Sequence, residues 1–87
     1  MPYITQEQRV DLNDGAYPND PGELAYALST VVDEYFGQTK VNYAKYAEVI
    51  GVLETLKLEI YRRFAGPYED KKREENGEAF LCVTADD

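Results

Sequence analysis

Six of the chain's nine basic residues, Lys57, Arg62, Arg63, Lys71, Lys72 and Arg73, fall between Lys57 and Arg73, although the formal net charge is -8. Tyr61 and Tyr68 are interleaved with them. Cationic side chains beside aromatic rings are the arrangement that grips a phosphate and stacks a base. Lys57, Tyr61, Arg62, Arg63, Tyr68 and Lys71 are therefore a candidate site for a small anionic ligand such as a cyclic nucleotide. The competing expectation is that these cations pair internally with Glu54, Glu59, Glu69, Asp70, Glu74 and Glu75 at helical spacings, and the supply of nearby acids favours pairing.

Other chemistry is poorly provided for. The chain has no histidine and one cysteine, so neither Ser29 nor Cys82 has the usual base to activate it. Cys82 lies between Leu81 and Val83 and reads as an apolar packing residue rather than a reactive thiol. Seventeen carboxylates offer neighbours such as Asp33/Glu34 and Glu69/Asp70, but adjacent helical residues do not share a face. No EF-hand spacing, phosphate-binding glycine loop or metalloprotease motif occurs. The expectation is a non-enzymatic protein with no catalytic residues, no metal site and no cofactor.

At 87 residues the chain has room for one small core, and domains of this size commonly gain stability from disulfides, metals or association. A lone cysteine and absent histidine remove the first two, so a homo-oligomer is expected. The acidic balance argues against general nucleic-acid binding, which needs a basic surface to displace counterions, and suits basic partners. Met1-Pro2-Tyr3-Ile4 leads at once into polar residues and no apolar run approaches membrane-spanning length, so a cytoplasmic protein with no membrane association is expected.

The elements that must position these residues are helices. Thr5 with Gln8 has capping-box spacing, and a short helix follows from Gln6 to about Asn13, ended by Gly15. Asp14 to Asn19 reads as a loop. Asp20 suits an N-cap, with Pro21 in the first turn and Glu23 at its third position. Leu24, Leu28, Val31 and Tyr35 then recur at intervals of four and three, and Gly37 is expected to stop the helix in a left-handed conformation. After a linker containing Thr39, Asn42 caps a longer helix from Tyr43. Its stripe of Tyr46, Val49, Ile50, Leu53, Leu56, Ile60 and Phe64 is the clearest pattern in the chain and is expected to nucleate the core.

Ala47, Gly51, Leu58, Tyr61 and Ala65 form a second apolar set on that helix, an expected oligomer interface unless the short first helix and the tail cover it. Gly51 costs about 1 kcal/mol against alanine in a helix, which suggests close approach of another backbone. Gly66-Pro67 predicts a kink, then a continuation through Tyr68 to a terminator at Asn76-Gly77. Ala79 to Thr84 has strand-like content without an evident partner. Of the tyrosines, Tyr35, Tyr46 and Tyr61 suit core or interface edges, and Tyr26, Tyr43 and Tyr68 suit exposure. The fold class is all-α: a single small helical domain of two main antiparallel helices, the second long and kinked at Gly66-Pro67, with a short N-terminal helix and an extended tail. Residues 1–19 form a peripheral arm and loop, 20–76 the helical core and 77–87 the tail.

The segments Met1-Pro2-Tyr3-Ile4, Gly22-Glu23-Leu24-Ala25-Tyr26, Val49-Ile50-Gly51-Val52-Leu53-Glu54, Tyr61-Arg62-Arg63, Pro67-Tyr68-Glu69-Asp70-Lys71-Lys72 and Glu75-Asn76-Gly77 together resemble a family of short bacteriophage and bacterial proteins of unassigned function. The resemblance extends to Gly77. It implies no catalytic residue; it implies a phage or prophage setting in which a small acidic protein acts on a host factor in the bacterial cytoplasm. The expected function is a self-associating interaction protein that binds a host protein through an acidic or tyrosine-bearing surface, and the alternative is a sponge for a small anionic signalling nucleotide. Mimicry of nucleic acid by the acidic surface is weaker, because the charge is dispersed.

Overall fold

The computed structural model describes residues 1–38 and 40–82. Its elements are α1 (Gln6–Asn13), α2 (Pro21–Gly37), α3 (Tyr43–Ile60), a π-helical turn (Tyr61–Ala65) and α4 (Gly66–Asn76). The described residues contain no strand, so the architecture is the all-α one expected, with a long and bent last helix. Contacts divide the chain into two units, Met1–Val49 and Ile50–Asp87.

The first unit is organised by its helix starts. Thr5 Oγ1 accepts from the Gln8 amide at 3.2 Å while Gln8 Oε1 accepts from the Thr5 amide at 2.9 Å, the reciprocal pair of a capping box. Asp20 Oδ1 accepts from the Glu23 amide at 2.8 Å, and Pro21 occupies the first turn, where its missing N–H costs nothing. Glu23 then ties the two starts together: Oε2 accepts from Gln8 Nε2 at 2.9 Å and Oε1 from the Asn19 amide at 3.0 Å. Arg9 donates from Nε to the Ile4 carbonyl at 3.2 Å and places its guanidinium 5.3 Å from the Tyr26 ring centre. Tyr26 is consequently half-buried rather than exposed as its sequence position suggested. Asn42 Oδ1 accepts from the Lys45 amide at 3.0 Å and starts α3, whose first turn sets Tyr46 edge-on to Phe36 at 5.4 Å and Lys45 over Tyr35 at 5.3 Å.

Helix ends follow the glycines in two of three cases. Gly15 and Gly77 take φ of 104° and 96°, the region L side chains avoid, and stop α1 and α4. Gly37 stays helical, contrary to the left-handed stop expected there. Instead the Gln38 amide reaches back three residues to the Tyr35 carbonyl at 3.3 Å, and this tightened turn satisfies the end without a positive φ.

In the second unit, the last turns of α3, the π turn and α4 run without interruption to Asn76. Beyond Gly77, Phe80 donates its amide to Glu78 Oε1 at 3.0 Å and Leu81 enters a turn. Val83 and Thr84 of the strand-like segment, and Thr39 of the linker, lie outside the described residues.

The core expectation is corrected by the exposures. No described residue is buried in either unit. Leu24, Leu28, Val31 and Tyr35 of α2 stand exposed, because α1 lies along the other side of α2 at Glu23 and Tyr26. Replacing Asp20 or Thr5 with alanine should each lower stability by about 1 kcal/mol, read as a lower midpoint in a far-ultraviolet circular dichroism melt. Asp20→Asn, which keeps the accepting oxygen, should retain most of the stability.

Candidate functional site

The basic band and the apolar stripe from Ile50 onward lie in the second unit, and Pro67 shapes the turn between them and α4. Proline has no N–H for the Arg63 carbonyl, and its ring crowds that carbonyl in a regular helix. The chain responds by widening over Tyr61–Ala65. Gly66 donates its N–H to the Tyr61 carbonyl five residues back, the π pattern that holds one more residue per turn than an α-helix. A Cβ on Gly66 would stand 3.2 Å from that carbonyl oxygen, so glycine is the residue the narrow approach accepts. Across the widened turn the Tyr61 hydroxyl donates to Glu69 Oε1. That bond raises the Tyr61 hydroxyl above the ordinary tyrosine range; the negative charge of Glu69 adds to it.

The cations expected to grip a ligand are mostly engaged. Lys57 Nζ lies 2.9 Å from Glu54, and Arg62 Nη2 lies 2.7 Å from Glu59, which also receives Arg63 Nε. Lys72 lies 3.2 Å from Glu75, and Arg73 contacts Asp70 at 3.3 Å and Glu78 at 3.7 Å. Every one of these pairs is solvent-exposed and lies at i,i+3 or i,i+4 except Arg73–Glu78. Each is worth a few tenths of a kcal/mol at most, but together they put five of the six cations against acids of the same chain. Lys71 is exposed, and Tyr68 carries Lys72 Nζ 5.8 Å from its ring centre. The ligand constellation of Lys57, Tyr61, Arg62, Arg63, Tyr68 and Lys71 is thus laid out along one helix with its arginines on Glu59 and Tyr61 on Glu69.

The second apolar set is also placed on the helix surface. Leu58 and Tyr61 are exposed, Ala47 is exposed and Ala65 is half-buried beside the π turn. A Cβ at Gly51 would meet nothing within 4 Å, so the close approach suggested by this glycine is not made within the described chain. The larger apolar surface is the stripe itself: Ile50, Leu53, Leu56, Ile60 and Phe64 keep between 43% and 69% of their surface. Sequence periodicity found these residues but read them as core.

A feature with no sequence signal lies in the first unit. Asp11, Asp14, Tyr17 and Glu23 line an open cleft of about 320 Å³, formed because Gly15 turns the chain back past α1. The described residues include no group of three or more His, Cys, Asp or Glu side chains arranged to hold a metal ion.

Residues 1–79 match the family described as Domain of unknown function (DUF6899). The chain belongs to the DUF6899 family. No curated protein and no solved structure matches it. The family match takes in both helical units as far as Ala79 and leaves Phe80, Leu81 and Cys82 outside, so the caps, the π turn and the apolar stripe are features of the DUF6899 region. No helix of the described chain is long and apolar enough to cross a membrane.

The Tyr61–Glu69 bond gives this region a measurable signature. The protonated hydroxyl is the donor, so the bond is intact below the ordinary tyrosine range and is lost as pH rises through the raised Tyr61 value. In a spectrophotometric titration of the eight tyrosines, Tyr61→Phe should remove a late-ionising component. Glu69→Gln should move that component down toward the ordinary range.

Proposed function

We propose that this protein is a non-enzymatic interaction module that associates with itself through the apolar stripe of its second unit. The observation that carries the reading is the stripe's exposure: Ile50, Leu53, Leu56, Ile60 and Phe64 lie on one side of a helix in which no described residue is buried. An isolated helix in water is marginal, and most helical stability in proteins comes from packing an apolar face. A second amphipathic helix supplies that packing.

The first unit offers a different surface to a partner. It carries eight acids against three bases, and Tyr3, Tyr17 and Tyr43 stand exposed upon it. Carboxylates and tyrosine rings together suit lysine- or arginine-bearing protein surfaces, and the cleft beside Asp11, Asp14 and Tyr17 has room for one such side chain. In this reading a basic protein of a bacterial host is the partner, and a phage or prophage setting in the cytoplasm is its context. The anion-sponge reading would have to displace Glu59 from two arginines and gains no enclosing cavity in return.

Sedimentation equilibrium tests the self-association directly. The wild type should sediment as a homo-oligomer at concentrations of about 10 μM. Leu53→Glu places a carboxylate in the stripe and should weaken association at least tenfold, while Thr55→Glu, on the opposite side of the helix, should leave it unchanged. A wild type that is monomeric across the accessible range removes the reading.

A further inference from the structure

We infer that α3 has two docking faces and takes a further copy of this chain on each, so that the assembly holds at least three copies; the inference rests on the self-association proposed above. At about 100° per residue, Val52, Leu56, Ile60 and Leu53 follow one another around the helix and occupy about 100° of its circumference. A helix that packs on one side presents an apolar stripe of roughly that width, so these residues fill the face of a single partner. The apolar circumference does not end there. Ile50 and then Leu58 carry it on for about another 140°, and Tyr61, three residues after Leu58, lies on the same side as Leu58. Neither face is covered within the described chain, where no residue is buried.

The exposed area is more than one partner takes up. With Phe64 of the stripe, the residues of the two faces each keep between 43% and 69% of their surface. Together they expose roughly 900 Å², about twice the apolar share of the ~800 Å² that a standard interface buries on each partner. A dimer built on the stripe would therefore leave Ile50, Leu58 and Tyr61 in water. The polar groups are arranged to permit the second contact. The Tyr61 hydroxyl is already bonded to Glu69, so its ring can be covered without stranding its polar tip. Lys57 and Glu54 lie between the two faces and are paired at 2.9 Å, so neighbours closing on both sides leave neither charge alone. The remaining third of the circumference carries Gly51, Thr55 and Glu59. There the Thr55 hydroxyl donates to the Gly51 carbonyl at 3.0 Å and Glu59 accepts from Arg62 at 2.7 Å, and this is the side left to solvent.

Counting mixed species reads the number of copies on the unaltered sequence. The full chain and a tagged version of it are produced together in one cell, so that copies mix as they assemble, and the purified protein is weighed by native mass spectrometry. Two or more mixed masses between the two pure assemblies are expected, as three or more copies require. A single mixed mass means a dimer and overturns the second face while leaving self-association standing; monomers alone remove both. Leu58→Glu then locates the second face, since it puts a carboxylate there and spares the stripe. It should weaken the assembly of three or more copies at least tenfold, with circular dichroism verifying that the chain remains helical, and Thr55→Glu should leave the copy number as it is. A Leu58→Glu chain that keeps the wild-type copy number overturns the assignment of this face.

Discussion

An unbroken helical path from Tyr43 to Asn76 has to satisfy two demands that pull against each other. Its backbone needs each N–H to find a carbonyl, and its apolar side chains need something other than water. The first demand is met almost entirely within the helix, and the one place it fails, Pro67, is absorbed by widening a single turn. The second is not met at all by local structure. Leu53, Leu56 and Ile60 lie along one line because of the helical repeat, and nothing in that repeat covers them. The π turn, the paired charges and the exposed stripe all follow from how the chain handles these two demands.

Charge is handled within the helix as well. Glu59 receives both Arg62 and Arg63, the i,i+3 and i,i+4 geometry that a helix makes available without any tertiary contact. Such pairs are weak in water. Their consequence is therefore less for stability than for recognition: a cation already facing a carboxylate is a poor grip for a phosphate, because the incoming anion must first displace the resident one. The basic band that stands out in the sequence is thus internally compensated along the helix, and the larger share of the chain's net negative charge lies in the acidic first unit.

Much of this was legible in the sequence, for local reasons. The caps at Thr5, Asp20 and Asn42, the stops at Gly15 and Gly77 and the break at Gly66-Pro67 are interactions over a few residues, which residue type and spacing determine. The apolar stripe was legible as a stripe. Whether it becomes a core or a surface depends on what packs against it, which periodicity does not encode, and the expectation of a core at Leu53 and Leu56 failed there. Tyr26 was misplaced for the same reason, since its burial depends on Arg9 returning from a different helix. Gly37 failed differently: an available left-handed residue is permission, and the Gln38 amide found the Tyr35 carbonyl without using it. The form of the break at Pro67 was also hidden, because a kink and a widened turn both accommodate a proline.

What selects the widened turn is the company Pro67 keeps. Gly66 immediately before it admits the Tyr61 carbonyl at a distance a Cβ would contest, so the five-residue bond can form where any larger residue would resist it. Tyr61 and Glu69, eight positions apart, then close a hydrogen bond across the turn. In a regular α-helix residues eight apart lie two turns away with an offset of about 80° around the axis. The surplus residue changes both the rotation and the path between them, and the long reach of a tyrosine and a glutamate spans what remains. Proline supplies the need for a wider turn, glycine the room, and the tyrosine–glutamate bond an interaction across it. These three features lie within nine residues of one helix and act on the same degree of freedom, the phase of α4 relative to α3.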